Sequence, residues 1–212
     1  MLLPGLLIVI SGPSGTGKGT VCKALAETWP HLRKSVSATT RQPRAGEVDG
    51  VDYFFKDLAA FEEMIDNNEF LEWARVYDNY YGTPRRPVLD CLARGEDLIL
   101  EIDTQGALQI KQKFPAGVFV FILPPSLETL RNRITDRGLD APEVIEKRLS
   151  CAVQEMELLH KYDYVVVNDL LAPAVETVKS IITAEKYRTG RYDLTVGSGK
   201  NFDITPKKIE IN

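Results

Sequence analysis

The sequence predicts an α/β domain in which a mainly parallel sheet is flanked by helices. Four short apolar runs, rich in Val, Ile, Leu or Phe, alternate with stretches whose apolar residues recur at the helical spacing. A glycine-rich segment ending in lysine follows the first run. This alternation is typical of parallel sheets with right-handed crossovers. The predicted strands are Leu6–Ile10, Leu98–Ile102, Val118–Leu123 and Tyr164–Val167.

The helical patterns lie between these runs. The first covers Gly19–Trp29, where Val21, Leu25 and Trp29 share one face and Pro30 ends the helix. The other predicted helices are a short one near Leu58–Asn67 and longer ones at Ser126–Arg137, Pro142–Lys161 and Ala172–Tyr187.

The composition indicates a globular protein and disfavours one class of partner. The chain has 212 residues, of which 44% are hydrophobic and 26% are charged, enough for one large domain with small inserted units. Its formal net charge of −4 disfavours a general nucleic-acid binder, which would carry a basic surface. We therefore expect no nucleic-acid partner.

The cysteines and the N-terminus indicate a cytoplasmic protein. Cys22, Cys91 and Cys151 are far apart and lack the spacing typical of zinc ligands or a redox pair. The apolar run at the N-terminus stops at Ser11, too short to span a bilayer, and carries no signal-peptide features. We therefore expect no contact with a membrane.

Two segments interrupt the alternation of strands and helices. Ser35–Phe55 combines strand-like pieces with turns at Gly46 and Gly50, which predicts a small insert outside the main sheet. Arg131–Arg148 is a charged helix–turn–helix around Gly138 and resembles a mobile lid. The predicted domain, 1–189, comprises a core of 1–34, 96–125 and 149–189, an insert of about 35–95 and a lid of about 126–148, followed by a tail at 190–212.

A phosphate-binding loop (P-loop) is predicted because the spacing GxxxxGK stands between a strand and a helix. Its glycines let backbone N–H groups face a phosphate, and the helix adds its positive dipole end. Lys18 adds a charge for the β- and γ-phosphates. The residues expected to bind ATP here are Gly12, Pro13, Ser14, Gly15, Thr16, Gly17, Lys18, Gly19 and Thr20.

The residue after the lysine departs from the usual loop. Ser or Thr normally stands there and its hydroxyl binds Mg²⁺, but position 19 is Gly and the hydroxyl arrives one residue later as Thr20. The segment Gly17–Thr20 resembles a form common among nucleoside monophosphate kinases. We expect Mg²⁺ with ATP as the cofactor and Thr20 as a candidate ligand, with direct ligation by the loop left open.

A second cluster points to the acceptor. A GTPase is disfavoured because the Asn-Lys-x-Asp motif is absent. Ser37, Arg41 and Arg44 form a local positive site, since no acidic residue lies between Arg33 and Arg44. Two guanidinium groups three residues apart suit a dianionic phosphate.

Several segments together resemble the guanylate kinase family over roughly residues 6–188. Each is weak alone, but they occur in the right order. The resemblance implies a P-loop NTPase-type α/β fold with an inserted GMP-binding subdomain and a mobile helical lid. The segments are Gly12–Thr20, Ser37–Arg44, Gly46–Tyr53, Phe70–Ala74, Asn79–Thr83, Glu101–Gly106 and Val167–Asp169.

By this resemblance the insert would bind GMP. Glu72 and Thr83 would recognise guanine, with Asp103 nearby. Guanine presents N1–H and N2–H₂ donors side by side, which one carboxylate can accept, whereas AMP would leave the charge of Glu72 unpaired. The residues implied to hold the GMP phosphate are Ser37, Arg41, Arg44, Tyr53 and Tyr81.

The implied reaction transfers the γ-phosphate of ATP to GMP, and to dGMP as a second acceptor. The attacking phosphate oxygen is ionised near neutral pH, so no general base is required. Catalysis would then be positioning and charge neutralisation by Lys18, Mg²⁺ and lid arginines. The implied arginines are Arg133, Arg137 and Arg148, and Asn168 would lie at the adenine edge.

Two alternatives stay open at this point. One is a kinase of another small phosphorylated metabolite, against which Glu72, Thr83 and the paired arginines argue. The other is a guanylate-kinase-like module that binds partners without catalysis, but such modules have typically lost phosphate-loop residues, whereas Lys18 is present here. ATP and GMP are the expected partners, and the oligomeric state, with a homodimer as one alternative, is left open.

Overall fold

A computed structural model describes residues 5–76, 78–135, 142–196 and 202–207. The strands of these ranges are β1 (Leu7–Ser11), β2 (Leu32–Lys34), β3 (Ala38–Thr39), β4 (Phe54–Phe55), β5 (Phe70–Val76), β6 (Asn79–Pro84), β7 (Asp97–Glu101), β8 (Val118–Leu123), β9 (Tyr164–Val167), β10 (Tyr192–Val196) and β11 (Phe202–Pro206). The α-helices are α1 (Lys18–Thr28), α2 (Leu58–Asp66), α3 (Arg85–Ala93), α4 (Thr104–Lys113), α5 (Leu127–Thr135), α6 (Pro142–Met156) and α7 (Leu171–Lys186).

The central sheet has the strand order β2-β7-β1-β8-β9, and every neighbouring pair is parallel. All five residues of β1 are buried, because helices cover both faces of the sheet. Successive side chains of a strand point to opposite faces, so one strand serves two cores. The predicted α/β fold with a mainly parallel sheet is therefore confirmed.

Alternate side chains of β1 pack into different cores, one on each face of the sheet. Ile8 and Ile10 pack with α1 and α7, whereas Leu7 and Val9 pack with α3 and α4. The helices contribute Val21, Leu25, Val178 and Ile182 to the first core and Val88, Leu92, Ala107 and Ile110 to the second. The helices over this sheet hold the ends of β1 and β7 in fixed positions, and the candidate site is built at those ends.

A separate four-stranded sheet of order β4-β3-β6-β5 forms most of the insert. Its strands β5 and β6 are antiparallel, and β3 pairs with β6 antiparallel and with β4 in parallel. Phe61 of α2 stacks on Phe70, with ring centroids 4.5 Å apart. The four-stranded sheet and α2 thus share a small core of their own.

The helices α5 and α6, called here the lid layer, pack on each other through Leu130, Ile134, Leu149 and Ala152. Ser126 caps the N-terminus of α5 as predicted, because its Oγ accepts the N–H of Thr129 at 3.0 Å. The predicted lid residues Arg137 and Gly138 lie outside the described residues.

Three elements in or against the central sheet, β2, α3 and α4, were not predicted from the sequence. β2 has only three residues, of which Leu32 alone is buried, so its pattern is too short to read. The sequence of α3 begins with two arginines and a proline, so its apolar pattern is short. In α4, Gly106 lies in the first turn and lowers the helix propensity there. The predicted tail contains the antiparallel pair β10–β11. Among the described residues, no helix is long and apolar enough to span a membrane.

Candidate active site

The P-loop connects β1 to α1 through a backbone that only glycine adopts without strain. Gly12, Gly15 and Gly17 have φ of 136°, 89° and 86°, in the left-handed region. An added Cβ at Gly12 would lie 2.4 Å from the carbonyl oxygen of Ile122, and one at Gly17 2.4 Å from Nδ2 of Asn168. The three glycines thus let the loop follow a path that residues with side chains could not follow without strain.

Lys18 lies at the first turn of α1 and closes the loop. Its Nζ donates to the carbonyl oxygens of Gly12 at 2.6 Å and Pro13 at 2.9 Å. Burial lowers the pKa of Lys18, and the nearby carboxylates of Glu101 and Glu155 oppose that effect. A lysine held in this way remains close to any phosphate that the loop surrounds.

Asn168 ties the loop to the end of β9. Its Nδ2 donates to the carbonyl oxygen of Thr16 at 2.8 Å, and Oγ1 of Thr16 donates to the carbonyl oxygen of Pro13 at 3.0 Å. Both side chains are buried. Its predicted role at the adenine edge stays a prediction, but Asn168 also braces the loop, a contact between residues 152 positions apart that local pattern cannot reveal.

One predicted arginine contacts this loop, and another contacts the backbone just after β9. The guanidinium of Arg148 donates to Oγ of Ser14 at 2.7 Å, and that of Arg133 donates to the carbonyl oxygens of Asn168 at 2.9 Å and Asp169 at 3.3 Å. Arg131, which was not predicted to be catalytic, forms an ion pair with Glu146. The predicted Arg137 lies outside the described residues.

The start of α1 carries the predicted oxygen ligand and an acidic neighbour. Thr20 is exposed, whereas Gly19 faces Oε1 of Glu101, 3.0 Å from an added Cβ. No group of three or more His, Cys, Asp or Glu side chains within the described ranges could hold a metal ion. Isolated oxygen donors beside a phosphate loop suit Mg²⁺, which keeps several waters and is bound by one or two carboxylates plus substrate phosphates.

The predicted guanine-reading pair lies on adjacent strands of the insert. Glu72 on β5 is directly opposite Thr83 on β6, and the hydroxyl of Thr83 donates to Oε1 of Glu72 at 2.6 Å. Both side chains are buried. Burial raises the pKa of Glu72 to about 7, against the effect of the Thr83 hydrogen bond. A carboxylate so poised can ionise when a ligand offers it donors.

Asp103, at the start of α4, lies next to the Glu72–Thr83 pair. It caps α4 by accepting the N–H of Gly106 at 2.8 Å, and burial raises its pKa. A Cβ at Gly106 would lie 2.4 Å from Oε2 of Glu72. The absence of a side chain at Gly106 therefore lets α4 and β5 approach closely, with Asp103 beside Glu72. The expected place of Asp103 near guanine stays a prediction.

Three of the predicted phosphate-binding side chains, those of Arg41, Tyr53 and Tyr81, lie together beside β3 and β6. Arg41 lies 5.4 Å from the ring centroid of Tyr53, whose ring is 6.0 Å from that of Tyr81. Arg41 forms an ion pair of 2.8 Å with Glu47, whose other oxygen accepts the backbone N–H of Arg44 at 2.7 Å. Ser37, the remaining member, is partly buried beside Ala38 of β3.

Glu47 was not predicted, because it lies just beyond the segment from Arg33 to Arg44 that has no acidic residue. Its position three residues after Arg44 could have indicated that the two residues interact. A surface cavity of 890 Å³ between α2 and α3 contains none of the predicted site residues. The candidate site therefore consists of the P-loop, the carboxyl end of β7 and the facing side of the insert.

Comparison with known proteins identifies the family. The family model described as guanylate kinase matches residues 5–185. A guanylate kinase of Caldanaerobacter subterraneus subsp. tengcongensis is 60% identical over 187 residues, covering 88% of this chain and 91% of its own. One of Clostridioides difficile is 53% identical over 188 residues, covering 89% and 92%. The crystal structure of guanylate kinase from Anaplasma phagocytophilum has a TM-score of 0.75 at 35% identity and 88% coverage of both chains. A chain so similar in sequence and fold belongs to the guanylate kinase family.

Proposed function

We propose that this protein transfers the γ-phosphate of ATP to GMP, giving ADP and GDP, and that it also accepts dGMP. The observation that carries this proposal is the buried Glu72–Thr83 pair, which faces the core at Gly106 and Asp103. Membership of the guanylate kinase family supports the same reaction.

Glu72 would select guanine by its charge. When ionised it accepts the adjacent N1–H and N2–H₂ donors of guanine, and the Thr83 hydroxyl is free to rotate toward O6. AMP offers no donor at N1, so it would leave a buried carboxylate without a partner. Glu72 would thus give this chain a physical reason to prefer a guanine acceptor.

The phosphate of GMP would lie among Arg41, Arg44, Ser37, Tyr53 and Tyr81. Glu47 holds the guanidinium of Arg41 and the backbone N–H of Arg44 in place, so the guanidinium of Arg41 would need little reorganisation before it binds. The phosphate oxygen that attacks ATP is already ionised near neutral pH, and the chain therefore needs no residue to remove a proton.

Lys18, Arg133 and Arg148 would neutralise the triphosphate during transfer, together with Arg137. Lys18 would exchange its bonds to the carbonyl oxygens of Gly12 and Pro13 for phosphate oxygens. Mg²⁺, when bound with ATP, neutralises charge on the β- and γ-phosphates. Among the described residues, Thr20 and Glu101 could offer it oxygen ligands, and Asn168 would border the adenine.

We also propose a cytoplasmic location. The three cysteines are free thiols, and Cys22 and Cys91 are buried, which suits a reducing compartment.

A coupled assay of ADP release tests the proposed reaction. GMP, dGMP, AMP, UMP and dTMP are offered in turn with ATP and Mg²⁺. GMP and dGMP should stimulate ADP release strongly and the other nucleotides weakly. If GMP fails to stimulate ADP release, the proposed activity is wrong and a non-catalytic binding module becomes the better interpretation.

A further inference from the structure

The strand β5, which carries Glu72, lies at the edge of the insert sheet. It pairs with β6 on one side, and no strand of that sheet lies on its other side. Backbone groups along such an edge need partners from elsewhere. Those of Leu71 and Trp73, the residues on either side of Glu72, bond to side chains of α4. The position of Glu72 is thus tied to a helix of the core.

The side chain of Gln109 pairs with the backbone of Trp73 much as a neighbouring strand would. Its Nε2 donates to the carbonyl oxygen of Trp73 at 2.8 Å, and its Oε1 accepts the N–H of Trp73 at 3.4 Å. On the other side of Glu72, Nζ of Lys113 donates to the carbonyl oxygen of Leu71 at 2.8 Å. The two side chains therefore hold the backbone immediately before and after the guanine-reading carboxylate.

The α4 residues that meet this part of β5 lie on one face of the helix. Gly106, Gln109 and Lys113 are spaced by three and four residues, which places them in a row along the helix. Gly106 leaves room for the carboxylate of Glu72. The charge of Lys113 opposes the effect of burial on Glu72 and lowers the pKa of that carboxyl group. This face of α4 therefore fits both the backbone of β5 and its buried acid.

We propose that Gln109 and Lys113 are positioning residues for guanine recognition, which hold the Glu72 segment of β5 against α4. This inference rests on the phosphorylation of GMP proposed above. One carboxylate accepts two adjacent donors well only when its plane is correctly oriented, and the two α4 side chains fix the strand on both sides of it. Both residues act through Glu72 rather than on the nucleotide.

GMP binding measured without ATP tests the role of Gln109. Gln109→Ala removes both bonds to Trp73 and should weaken GMP binding by about threefold to tenfold, the range for lost hydrogen bonds. Gln112→Ala shortens an exposed glutamine of the same helix and should leave GMP affinity at the wild-type value. Isothermal titration calorimetry gives both affinities. Equal GMP affinity in the two variants would overturn the role of Gln109.

Two substitutions at Lys113 separate its charged donor from its bulk. Lys113→Met keeps the length of the side chain and removes the donor and the charge, so GMP affinity should fall by about tenfold. Lys113→Arg keeps a charged donor and should retain GMP affinity within about threefold of the wild type. Wild-type affinity in Lys113→Met, or an equal loss in both variants, would overturn the role of Lys113.

Discrimination between acceptors separates positioning from stabilisation of the fold. A displaced Glu72 loses contacts to guanine but none to adenine. The ratio of kcat/KM for GMP to that for AMP should therefore fall by about threefold or more in Gln109→Ala and in Lys113→Met. The KM for ATP should stay near the wild-type value. Lower thermal stability with an unchanged ratio would mean that the α4 contacts only stabilise the fold, and the inference would be wrong.

Failure of this inference is distinguishable from failure of the proposed reaction. Wild-type protein is titrated with GMP and assayed for GMP-stimulated ADP release in parallel. If it neither binds nor phosphorylates GMP, the proposed reaction is wrong and the inference falls with it. If the wild type is active and the variants match it in GMP affinity and in the acceptor ratio, the role of Gln109 and Lys113 alone is wrong.

Discussion

Lys18 donates to two carbonyl oxygens of its own loop, and its side chain lies among partly and fully buried neighbours. A charge in such surroundings acts on a phosphate more strongly than one in water. The pKa of Lys18 is lowered by burial, so bound phosphate oxygens would stabilise its charged form.

Lys18→Ala should lower turnover by about 100-fold or more, because it removes a preorganised positive charge from the transferring phosphate. The fold should persist, because removing the side chain of a partly exposed lysine leaves no large cavity. Lys23→Ala, an exposed lysine of the same helix, is the matched control and should keep normal turnover. Steady-state kinetics with circular dichroism checks both expectations, and near-normal turnover of Lys18→Ala would refute the assigned role.

Glu72→Gln should lower kcat/KM for GMP by about 100-fold, since the amide places an N–H₂ donor against the donors of guanine. Glu69→Gln changes an exposed glutamate three residues earlier and should leave GMP kinetics near the wild type. Measuring kcat/KM for GMP and AMP in both variants tests the claim. Unchanged GMP kinetics would show that Glu72 does not recognise guanine.

The raised pKa of Glu72 also predicts how stability depends on pH. The folded protein keeps a proton on Glu72 up to about pH 7, whereas the unfolded chain releases it near 4.5. This contribution is complete below pH 4.5 and is lost as pH rises toward 7, and the shift corresponds to roughly 3 kcal/mol. Urea unfolding of wild type and Glu72→Gln from pH 4.5 to 7.5 should show a steeper loss of stability in the wild type. Equal slopes would contradict the raised pKa.

At the scale of elements, the approach of α4 to β5 depends on Gly106. Alanine inside a helix normally gains about 1 kcal/mol over glycine, but here the new methyl would lie 2.4 Å from a carboxylate oxygen of Glu72. Contacts between a core helix and a strand of the insert therefore override the local preference of the helix.

Gly106→Ala should destabilise the protein by about 1 kcal/mol despite its higher helix propensity, because overpacking at a buried contact outweighs the gain. It should also weaken GMP binding, since Glu72 has to move. In a Glu72→Ala background the clash disappears, and the same Gly106→Ala change should then be stabilising. Thermal unfolding of the four variants checks the sign, and a stabilising effect in both backgrounds would contradict the close contact.

Elements whose signal is local were predictable from the sequence, and contacts between distant elements were not. The P-loop could be predicted because glycine positions, Lys18 and the flanking strand and helix lie within one short segment. Glu72 and Thr83 were singled out by resemblance alone, and nothing in the local pattern indicates that they share a hydrogen bond. β2 was missed because three residues, one apolar and two basic, carry too little periodicity to distinguish a strand from a loop.

At the scale of the whole molecule, the lid layer contacts the core through Arg148. The guanidinium lies on α6, and its partner Ser14 lies 134 residues earlier in the P-loop. An arginine that already reaches the loop can pass to the phosphates of a bound nucleotide with a small displacement. If Arg148 acts on the triphosphate as proposed, the packing of α5 on α6 would couple the position of the lid layer to the charge available there.

Arg148→Ala should lower kcat by about 100-fold, because charge at the transferring phosphate is lost when the transition state needs it. The KM for GMP should change by less than about threefold, since an interaction made only in the transition state does not hold the ground state. Lys147→Ala, the exposed neighbour on α6, should leave kcat and KM near the wild type. Steady-state kinetics with saturating ATP separates the two parameters. A rise in the KM for GMP at unchanged kcat would instead place Arg148 in binding the acceptor, and would overturn its assignment to the transferring phosphate.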